Sequence, residues 1–336
     1  MSLLKFTDSG IYCEAGDFYI DPWRRVQRAV ITHAHSDHAR WGMEHYLAHP
    51  ISGEVMKLRL GADISLQTIP YSESVSINGV KVSLHPAGHI PGSSQVRVEY
   101  KGEIWVAAGD YKTQPDNVSD AFETVKCHGF ITESTFGLPV YKWKNNDDIL
   151  NEINTWWSQN AANNVTSVIF CYSLGKAQRI LNGLQNIGPV FCHGAIANTN
   201  EALRNAGLHI RDCDTIHKDT NPELFRKAII LAPPGAEGTP WMKRFKDVST
   251  GIASGWMQLR GTRRRRNADR GFVMSDHADW PGLIDAVKST GADKIVVTHG
   301  YTDVFARYLA ENGWNAITEK TEFGAEEEEA SQIDAA

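Results

Sequence analysis

The stretch Ile31-Thr32-His33-Ala34-His35-Ser36-Asp37-His38 comes directly after an apolar run, Arg28–Ile31, that reads as a strand. Two histidines two residues apart at a strand end point the same way, because side chains of extended backbone repeat with period two, so they can clamp one ion. Asp37 and His38 follow at the turn and face a second position. One short loop thus offers three neutral nitrogen ligands and a carboxylate, a donor set suited to zinc.

Further ligands are needed, and the chain supplies them where strands give way to loops, the usual address of functional residues on a rigid scaffold. Ala87-Gly88-His89 follows Val82–Leu84, Ala108-Gly109-Asp110 follows a strand ending near Val106, and Thr298-His299-Gly300 follows Ile295–Val297. Singly, each reads better as a turn residue beside glycine; together with the clustered loop they read as ligands. Asp21, in Tyr19-Ile20-Asp21-Pro22, either orients a ligand histidine through its second ring nitrogen or is a strand-end turn aspartate before proline.

Around this loop the first third of the chain holds short β-rich runs at Asp17–Ile20, Arg28–Thr32, Val80–Leu84, Gln95–Tyr100 and Glu103–Ala108. Glu54–Leu60 is its best helix candidate. From about Asn146 the texture changes to alternation: helix Asp147–Gln159, strand Ser167–Cys171, helix Lys176–Asn186, strand Pro189–Cys192, helix Asn198–Asn205. That is the pattern of a parallel α/β unit. The last third brings a strand at Gly271–Met274, a helix from Trp280 with Asp279 as N-cap and Gly291 past its end, a strand Lys294–Thr298 and a helix Asp303–Asn312.

At about 150 residues per domain, the 336 residues suggest two domains. The 42% hydrophobic and 22% charged residues are those of an ordinary globular protein and argue against fibrous or wholly disordered structure. Cys13, Cys127, Cys171, Cys192 and Cys213 are odd in number and never form Cys-x-x-Cys, which argues against a disulfide framework or a cysteine zinc site; they read as small buried side chains. No apolar run approaches the roughly 18 residues of a membrane-spanning helix, and the N-terminus lacks the apolar stretch of a secretory signal. The chain reads as cytoplasmic, with no membrane partner.

The net charge of −6 is unevenly placed. Residues 319–336 hold seven acids against Lys320 and read as an acidic tail too poor in apolar residues to fold. Residues 137–266 hold 17 Lys plus Arg against 10 Asp plus Glu, a net +7 that suits a polyanion. Candidate phosphate contacts are Lys142, Lys144, Lys176, Arg179, Lys243, Arg244 and the block Arg263, Arg264, Arg265, Arg266, whose like charges repel unless something neutralises them. Lys176 and Arg179 open a helix after Gly175, where backbone N–H groups also favour anions. Tyr141, Trp143, Tyr172, Trp241 and Trp256 could stack on splayed bases, whereas Trp156 and Trp157 read as core.

The pattern His33-x-His35-x-Asp37-His38, followed by His89, Asp110 and a late histidine, resembles the metallo-β-lactamase fold. Thr132-Glu133-Ser134-Thr135-Phe136-Gly137 looks like the first specific motif of the β-CASP nucleases, Ser275-Asp276-His277-Ala278-Asp279 like their second, and Val297-Thr298-His299-Gly300 like their third. Leu174-Gly175-Lys176-Ala177-Gln178-Arg179 resembles the helix-opening sequence of the β-CASP insert. Within that group the compact size and the run from Ile20-Asp21-Pro22-Trp23 through Ala39-Arg40-Trp41-Gly42 are most similar to bacterial exonucleases associated with DNA ligases.

The resemblance implies an α/β fold, a metallo-β-lactamase αββα four-layer sandwich from residues 1–136 and 267–318. A β-CASP lobe is inserted at 137–266, and a disordered acidic tail covers 319–336. It implies two zinc ions, although manganese and nickel accept many of the same donors. His33, His35 and His89 would hold one ion, Asp37, His38 and His299 the other, Asp110 would bridge them, and Glu133 would hold His277. Two metal ions about 3.5–4 Å apart polarise a phosphoryl oxygen and lower the pKa of a bridging water toward neutral, producing a hydroxide in line with phosphorus. The departing 3′ oxygen then needs a proton. His277 is the candidate donor, with Glu133 keeping it protonated and oriented. The catalytic set is Asp37, His277 and Glu133.

The expectation is a metal-dependent exonuclease that hydrolyses phosphodiester bonds at DNA ends in repair, on single strands or exposed ends. Attack from a 5′ end and a link to a DNA ligase system rest on resemblance alone. A histidine in the third motif is more typical of RNA-cutting members, so a β-CASP ribonuclease is the alternative. A small ester or lactam hydrolase is a second, disfavoured by the +7 insert and the second-motif histidine. A nucleic-acid-binding pseudo-enzyme is disfavoured by the complete ligand set.

Overall fold

The structure, a computed structural model, describes residues 2–259 and 268–323. It is a mixed α/β protein of two compact units. The first comprises the described residues of Met1–Pro115, Ser119–Lys142 and His277–Glu326. One of its sheets has the order β1 (Lys5–Thr7), β2 (Gly10–Cys13), β3 (Phe18–Ile20), β4 (Arg28–Val30), β5 (His45–Ala48), β6 (Leu66–Thr68). The other runs from β7 (Ser74–Ile77) through β8 (Val80–Pro86), β9 (Ser94–Tyr100), β10 (Glu103–Ala107), β11 (Gly129–Ser134) and β18 (Lys294–Gly300) to β19 (Ala316–Thr318).

Alternation sets the register. Val82 lies opposite Val98 and Leu84 opposite Val96, all four buried, while Lys81 and Glu99 pair on the other face. The buried faces of both sheets meet in one core, with Ile11, Phe18, Ile20, Val30 and Leu47 against Val82, Leu84, Val96, Val98 and Ile131. Each such side chain contributes about 1.5–3 kcal/mol by leaving water. The opposite face of the second sheet, through Val106, Phe130, Ile295 and Val297, packs on Leu283 and Val287 of one helix (Trp280–Thr290) and Phe305 and Leu309 of another (Thr302–Glu311). The first of these starts as its sequence implies: Asp279 Oδ1 accepts from Gly282 N at 3.0 Å, and Gly291 ends it at φ 68°.

Helix α1 (Pro50–Leu60) begins earlier than the run from Glu54 suggested. His49 is extended and its Nδ1 accepts from Ile51 N at 3.4 Å, with Pro50 at the first helical position. The strands β1, β2, β5, β6, β7 and β19 have three or four residues each, too few for alternation to show in the sequence. The expected disorder of the tail is corrected for its first residues. Glu319 N donates to Val297 O at 3.1 Å, and Arg40 donates to the Glu322 carbonyl. The rest of the acidic run, from residue 324, lies outside the described residues.

The second unit contains the described residues of Asp116–Val118 and Trp143–Asp276. Its sheet is parallel throughout, in the order β14 (Asp214–Thr215), β13 (Val190–Cys192), β15 (Ile229–Ala232), β12 (Thr166–Phe170), β16 (Val248–Ala253), β17 (Arg270–Phe272). All five residues of β12 are buried, so it reads as an unbroken run without alternation. Helix α2 (Asn146–Ala162) buries Trp156 and Trp157, whose Nε1 in Trp157 donates to Lys227 O at 2.9 Å. Helix α3 (Lys176–Gly183) stops before Asn186 because Leu184 turns extended, at φ −71° and ψ 140°. Helix α4 (Gly194–Asn205) begins before Asn198 because His193 Nδ1 caps it, accepting from Ala195 N at 3.1 Å. Two α-helices of the first unit follow, α5 (Trp280–Thr290) and α6 (Thr302–Glu311).

Four cysteines are buried and Cys213 is half-buried. Cys192 and Cys213 are free thiols with their Sγ atoms 2.8 Å apart, a proximity the sequence did not show. Among the described residues no helix is long and apolar enough to cross a membrane.

Candidate metal centre

The histidine-rich loop leaves β4 and is pinned from both sides. Ile31 N donates to Leu47 O at 2.8 Å and Ser94 N to Thr32 O at 2.8 Å. His33 and His35 therefore stand on a loop beyond the strand and not on its last residues, as period-two reasoning placed them; their rings nevertheless lie 4.9 Å apart. Asp21 fixes the loop from beneath. Its Oδ1 accepts from Thr32 N at 2.8 Å, and its Oδ2 from Thr32 Oγ1 at 2.5 Å and lies 2.7 Å from His38 Nδ1. Of the two readings open for Asp21, the one that orients His38 matches this geometry.

Two glycines bring the later candidate ligands in. Gly88 has φ 75°, and a Cβ there would stand 2.2 Å from Lys112 O; Gly109 has φ 59°, and a Cβ would stand 2.7 Å from Thr32 Oγ1. Close backbone approach thus explains glycine before His89 and before Asp110. Asp110 Oδ2 lies 3.4 Å from His38 Nε2, 3.6 Å from His33 Nε2 and 3.9 Å from His89 Nε2. His89 Nε2 lies 3.1 Å from His35 Nδ1, and Asp37 Oδ2 is 3.6 Å from His38 Nε2.

Three overlapping sets of ligand atoms, each within 4.8 Å, result: His33, His35 and His89; His33, His38 and Asp110; His89, Asp110 and His277. These groups could hold metal ions. His33 Nε2, His38 Nε2 and Asp37 Oδ1 are buried without a hydrogen-bond partner among the described residues. Such groups are costly to bury unless something coordinates them, and imidazole and carboxylate are zinc donors, so the residues fit a metal.

Charge is arranged to suit. Burial, then His38 and His89, hold the His33 imidazole well below its usual range, ready as a neutral ligand. For His38 burial acts downward, but Asp37, Asp110 and Asp21 outweigh it and draw the ring well above its usual range. For Asp110 burial acts upward, but His38 and His277 outweigh it and hold the carboxylate well below its usual range. A metal ion at His38 would take the place of a proton.

His277 Nδ1 lies 2.9 Å from each oxygen of Glu133, which also accepts from Tyr111 N at 2.8 Å and Thr135 N at 3.3 Å. The His277 ring is 4.6 Å from that of His89. His299, the third-motif residue, stands one residue before the end of β18 at φ 54° with its carbonyl accepting from Ser134 Oγ at 2.6 Å. It is buried and lines a small cavity with His38, Asp110 and Glu133, but it is not in the three convergent sets.

The expected phosphate contacts are corrected at two positions. Lys176 and Arg179 are buried, not presented at a helix opening. Lys176 Nζ lies 3.3 Å from Asp276; Arg179 bonds Asp276 at 2.5 Å, Ser275 O at 2.7 Å and Asn146 at 3.0 Å, with Asp116 at 3.3 Å. The sequence shows the charges but not the carboxylates that meet them. Arg263, Arg264, Arg265 and Arg266 lie outside the described residues. Lys142, Lys144 and Lys243 are exposed, with Lys144 paired to Glu152 at 2.6 Å, while Arg244 rests over Trp241 at 5.6 Å. Tyr141 is fully buried against Phe136, which removes it from the stacking candidates; Trp143, Tyr172, Trp241 and Trp256 are half-buried.

Three residues that shape the site carry no motif. Ser93 Oγ accepts from His89 N at 3.1 Å and Ile90 N at 3.2 Å; Arg59, in the last turn of α1, donates to Ala34 O; Phe323 stacks on His38. Ser93 had a local signal, a Pro-Gly-Ser turn four residues past His89, but Arg59 and Phe323 arrive from distant sequence.

No family model matches the chain. It is 28% identical over 317 residues to a probable DNA ligase of Opitutus terrae, covering 93% of this chain and 30% of that protein. It is 24% identical over 284 residues to an RNase, aCSPSF2, of Saccharolobus solfataricus (71% of this chain, 56% of that one) and 26% identical over 161 residues to the human DNA cross-link repair 1A protein (45% and 15%). The chain thus spans about a third to about half of the length of the first two. A crystal structure of a protein of unknown function from Enterococcus faecalis V583 superposes with a TM-score of 0.60 at 11% identity, over 88% of this chain and 80% of that one, a likeness of fold alone. The relatives bear out the resemblance carried by the motifs: the chain is similar to the metallo-β-lactamase-fold β-CASP nucleases.

Proposed function

We propose that the chain is a metal-dependent phosphodiesterase of the β-CASP kind, an exonuclease acting on DNA ends in repair. The observation that carries this reading is the ionised, buried Asp110 ringed by imidazole nitrogens, with the His277–Glu133 pair beside it. In this reading the first unit is the αββα sandwich and the second the inserted lobe, whose long segment runs over Trp143–Asp276 and not over the expected 137–266, because β17 (Arg270–Phe272) pairs with β16 in the second unit's sheet. His33, His35 and His89 would hold one zinc ion and Asp37, His38 and His299 the other, with Asp110 within reach of both sets. When bound, the two ions supply Lewis-acid polarisation of the scissile phosphate and an activated water.

The chain's own residues do the rest. Asp21 fixes His38 so that its Nε2 faces the ligand cluster. Glu133, accepting two backbone N–H groups, keeps its oxygens on His277 Nδ1, which leaves Nε2 to give a proton to the departing 3′ oxygen. The net +7 of residues 137–266 favours a polyanionic substrate, and relatives named as a DNA ligase and a DNA cross-link repair protein favour DNA. A second reading, a ribonuclease, is favoured by His299 in the third motif and by the relative named as an RNase. Matched single strands of DNA and RNA, labelled at the 5′ or 3′ end and incubated with zinc- or manganese-loaded protein, separate the readings. Mononucleotides released from DNA ends are expected. RNA cut with DNA left intact would sink the first reading.

A further inference from the structure

The last described residues reach the metal centre. After β19 the backbone keeps to the edge of the second sheet at Val297 and then crosses to the histidine loop, where Arg40 donates to the Glu322 carbonyl. The Glu322 carboxylate lies 3.7 Å from Arg24 and 3.9 Å from Arg40. Phe323 then lays its ring on the imidazole of His38, centroids 4.2 Å apart and planes within 13°. Its edge meets Trp23 at 5.6 Å, and His299 lies 6.3 Å away. No residue of this segment belongs to a motif that points to metal chemistry.

We propose that Phe323 is a positioning residue for His38, so that the segment read as a loose acidic tail supplies one wall of the metal centre. The inference rests on the reading of His38 as a ligand. Asp21 ties one nitrogen of the ring at 2.7 Å, but a single hydrogen bond leaves the imidazole free to rock about the line from Nδ1 to Oδ2. Rocking swings Nε2 away from Asp110 and Asp37, now at 3.4 and 3.6 Å. A flat ring against the imidazole face removes that freedom. It also keeps water from the buried Asp21–His38 bond, which a drier surrounding strengthens. The exposed pairs of Glu322 with Arg24 and Arg40 are each worth less than about 1 kcal/mol, so they guide the segment and the ring does the positioning.

The test strips metal from the full chain and titrates zinc back against a chromophoric chelator, with melting of the metal-free protein as the check on folding. Phe323→Ala is expected to weaken one of two zinc sites about 10-fold, the scale on which a residue behind a ligand acts. Phe323→Tyr, which keeps the flat ring, should match the parent, and Phe323→Leu, which keeps apolar cover without it, should fall with alanine. A chain ended after Gly324, lacking Glu326–Glu329, should also match the parent, which separates the ring from the acidic run. In turnover the alanine variant should recover its kcat at saturating zinc. Parent-like zinc affinity in both the alanine and the leucine variants overturns the inference while leaving the metal reading standing. A parent chain that takes up no zinc overturns both.

Discussion

Replacing Asp21 by asparagine tests the candidate centre through a residue outside the convergent ligand sets. Asp21 is buried and accepts three hydrogen bonds, at 2.8 Å from Thr32 N, at 2.5 Å from Thr32 Oγ1, and at 2.7 Å with His38 Nδ1. In the Asp21→Asn variant the amide oxygen can keep the bond from Thr32 N, and the Thr32 hydroxyl can rotate to accept. His38 has no such remedy, because an amide N–H facing Nδ1 demands a lone pair there and moves the ring proton to Nε2, the atom 3.4 Å from Asp110. Binding a metal then requires the disfavoured tautomer and forfeits a charge-assisted hydrogen bond, a loss of about 1.5–3 kcal/mol. That is about a 10- to 100-fold loss of affinity, confined to the site that uses His38. The set of His33, His35 and His89 should change less, because Asp21 reaches its rings only through Thr32 Oγ1, which lies 3.0 Å from His33 Nδ1. Zinc titration of the metal-free variant therefore should show one strong and one weakened site, with the metal-free melting temperature as a control for folding. Two sites of parental affinity in a folded Asp21→Asn protein would refute the tautomer reasoning.

His277→Ala should keep its zinc and lose about 10²- to 10⁴-fold in kcat on a nucleic-acid substrate, as for loss of a general acid, measured by end-label release; loss of zinc instead would make it a ligand alongside His89 and Asp110. Arg179→Ala leaves Asp116 and Asp276 short of their buried partner and should destabilise the second unit by about 3–5 kcal/mol in urea unfolding, with the salt slope of DNA binding unchanged. Gly88→Ala, with φ 75° and Lys112 O in the way, should cost about 3 kcal/mol, read as a shift in the urea midpoint. Burial lowers the His49 imidazole from 6.5 to about 4, so its neutral form is the one the fold keeps. Stability is then full above about pH 6.5 and falls as pH drops toward 4, by at most about 3 kcal/mol, and His49→Asn, which can still cap α1, should abolish that slope.

The candidate metal centre was legible where its residues are neighbours in sequence or sit beside glycine after a strand. His33, His35, Asp37 and His38 share one loop, and Gly88 and Gly109 flag His89 and Asp110 because backbone must pass where a side chain would collide. What the sequence could not show is which charges meet across long separations. Lys176 and Arg179 looked like open cations at a helix start, because their neighbours in sequence are neutral. The structure answers them with Asp116 and Asp276, some 60 to 100 positions away. The same blindness ran the other way at the C-terminal end. Residues 319–323 looked like the start of a solvated acidic run, since charge density is a property of the string, whereas the ring that orders them against the loop is one phenylalanine among seven acids and a lysine. A charged stretch is therefore weak grounds for assigning a surface. The basic segment lost two of its contacts to internal pairing, and the acidic one gained an anchored start through a single apolar side chain. What remains of the electrostatic case for a polyanion is the net +7 of residues 137–266, which internal pairing with carboxylates of the same segment does not alter, although Asp116 and Asp276, which lie before and after it in the sequence, neutralise two of those charges locally.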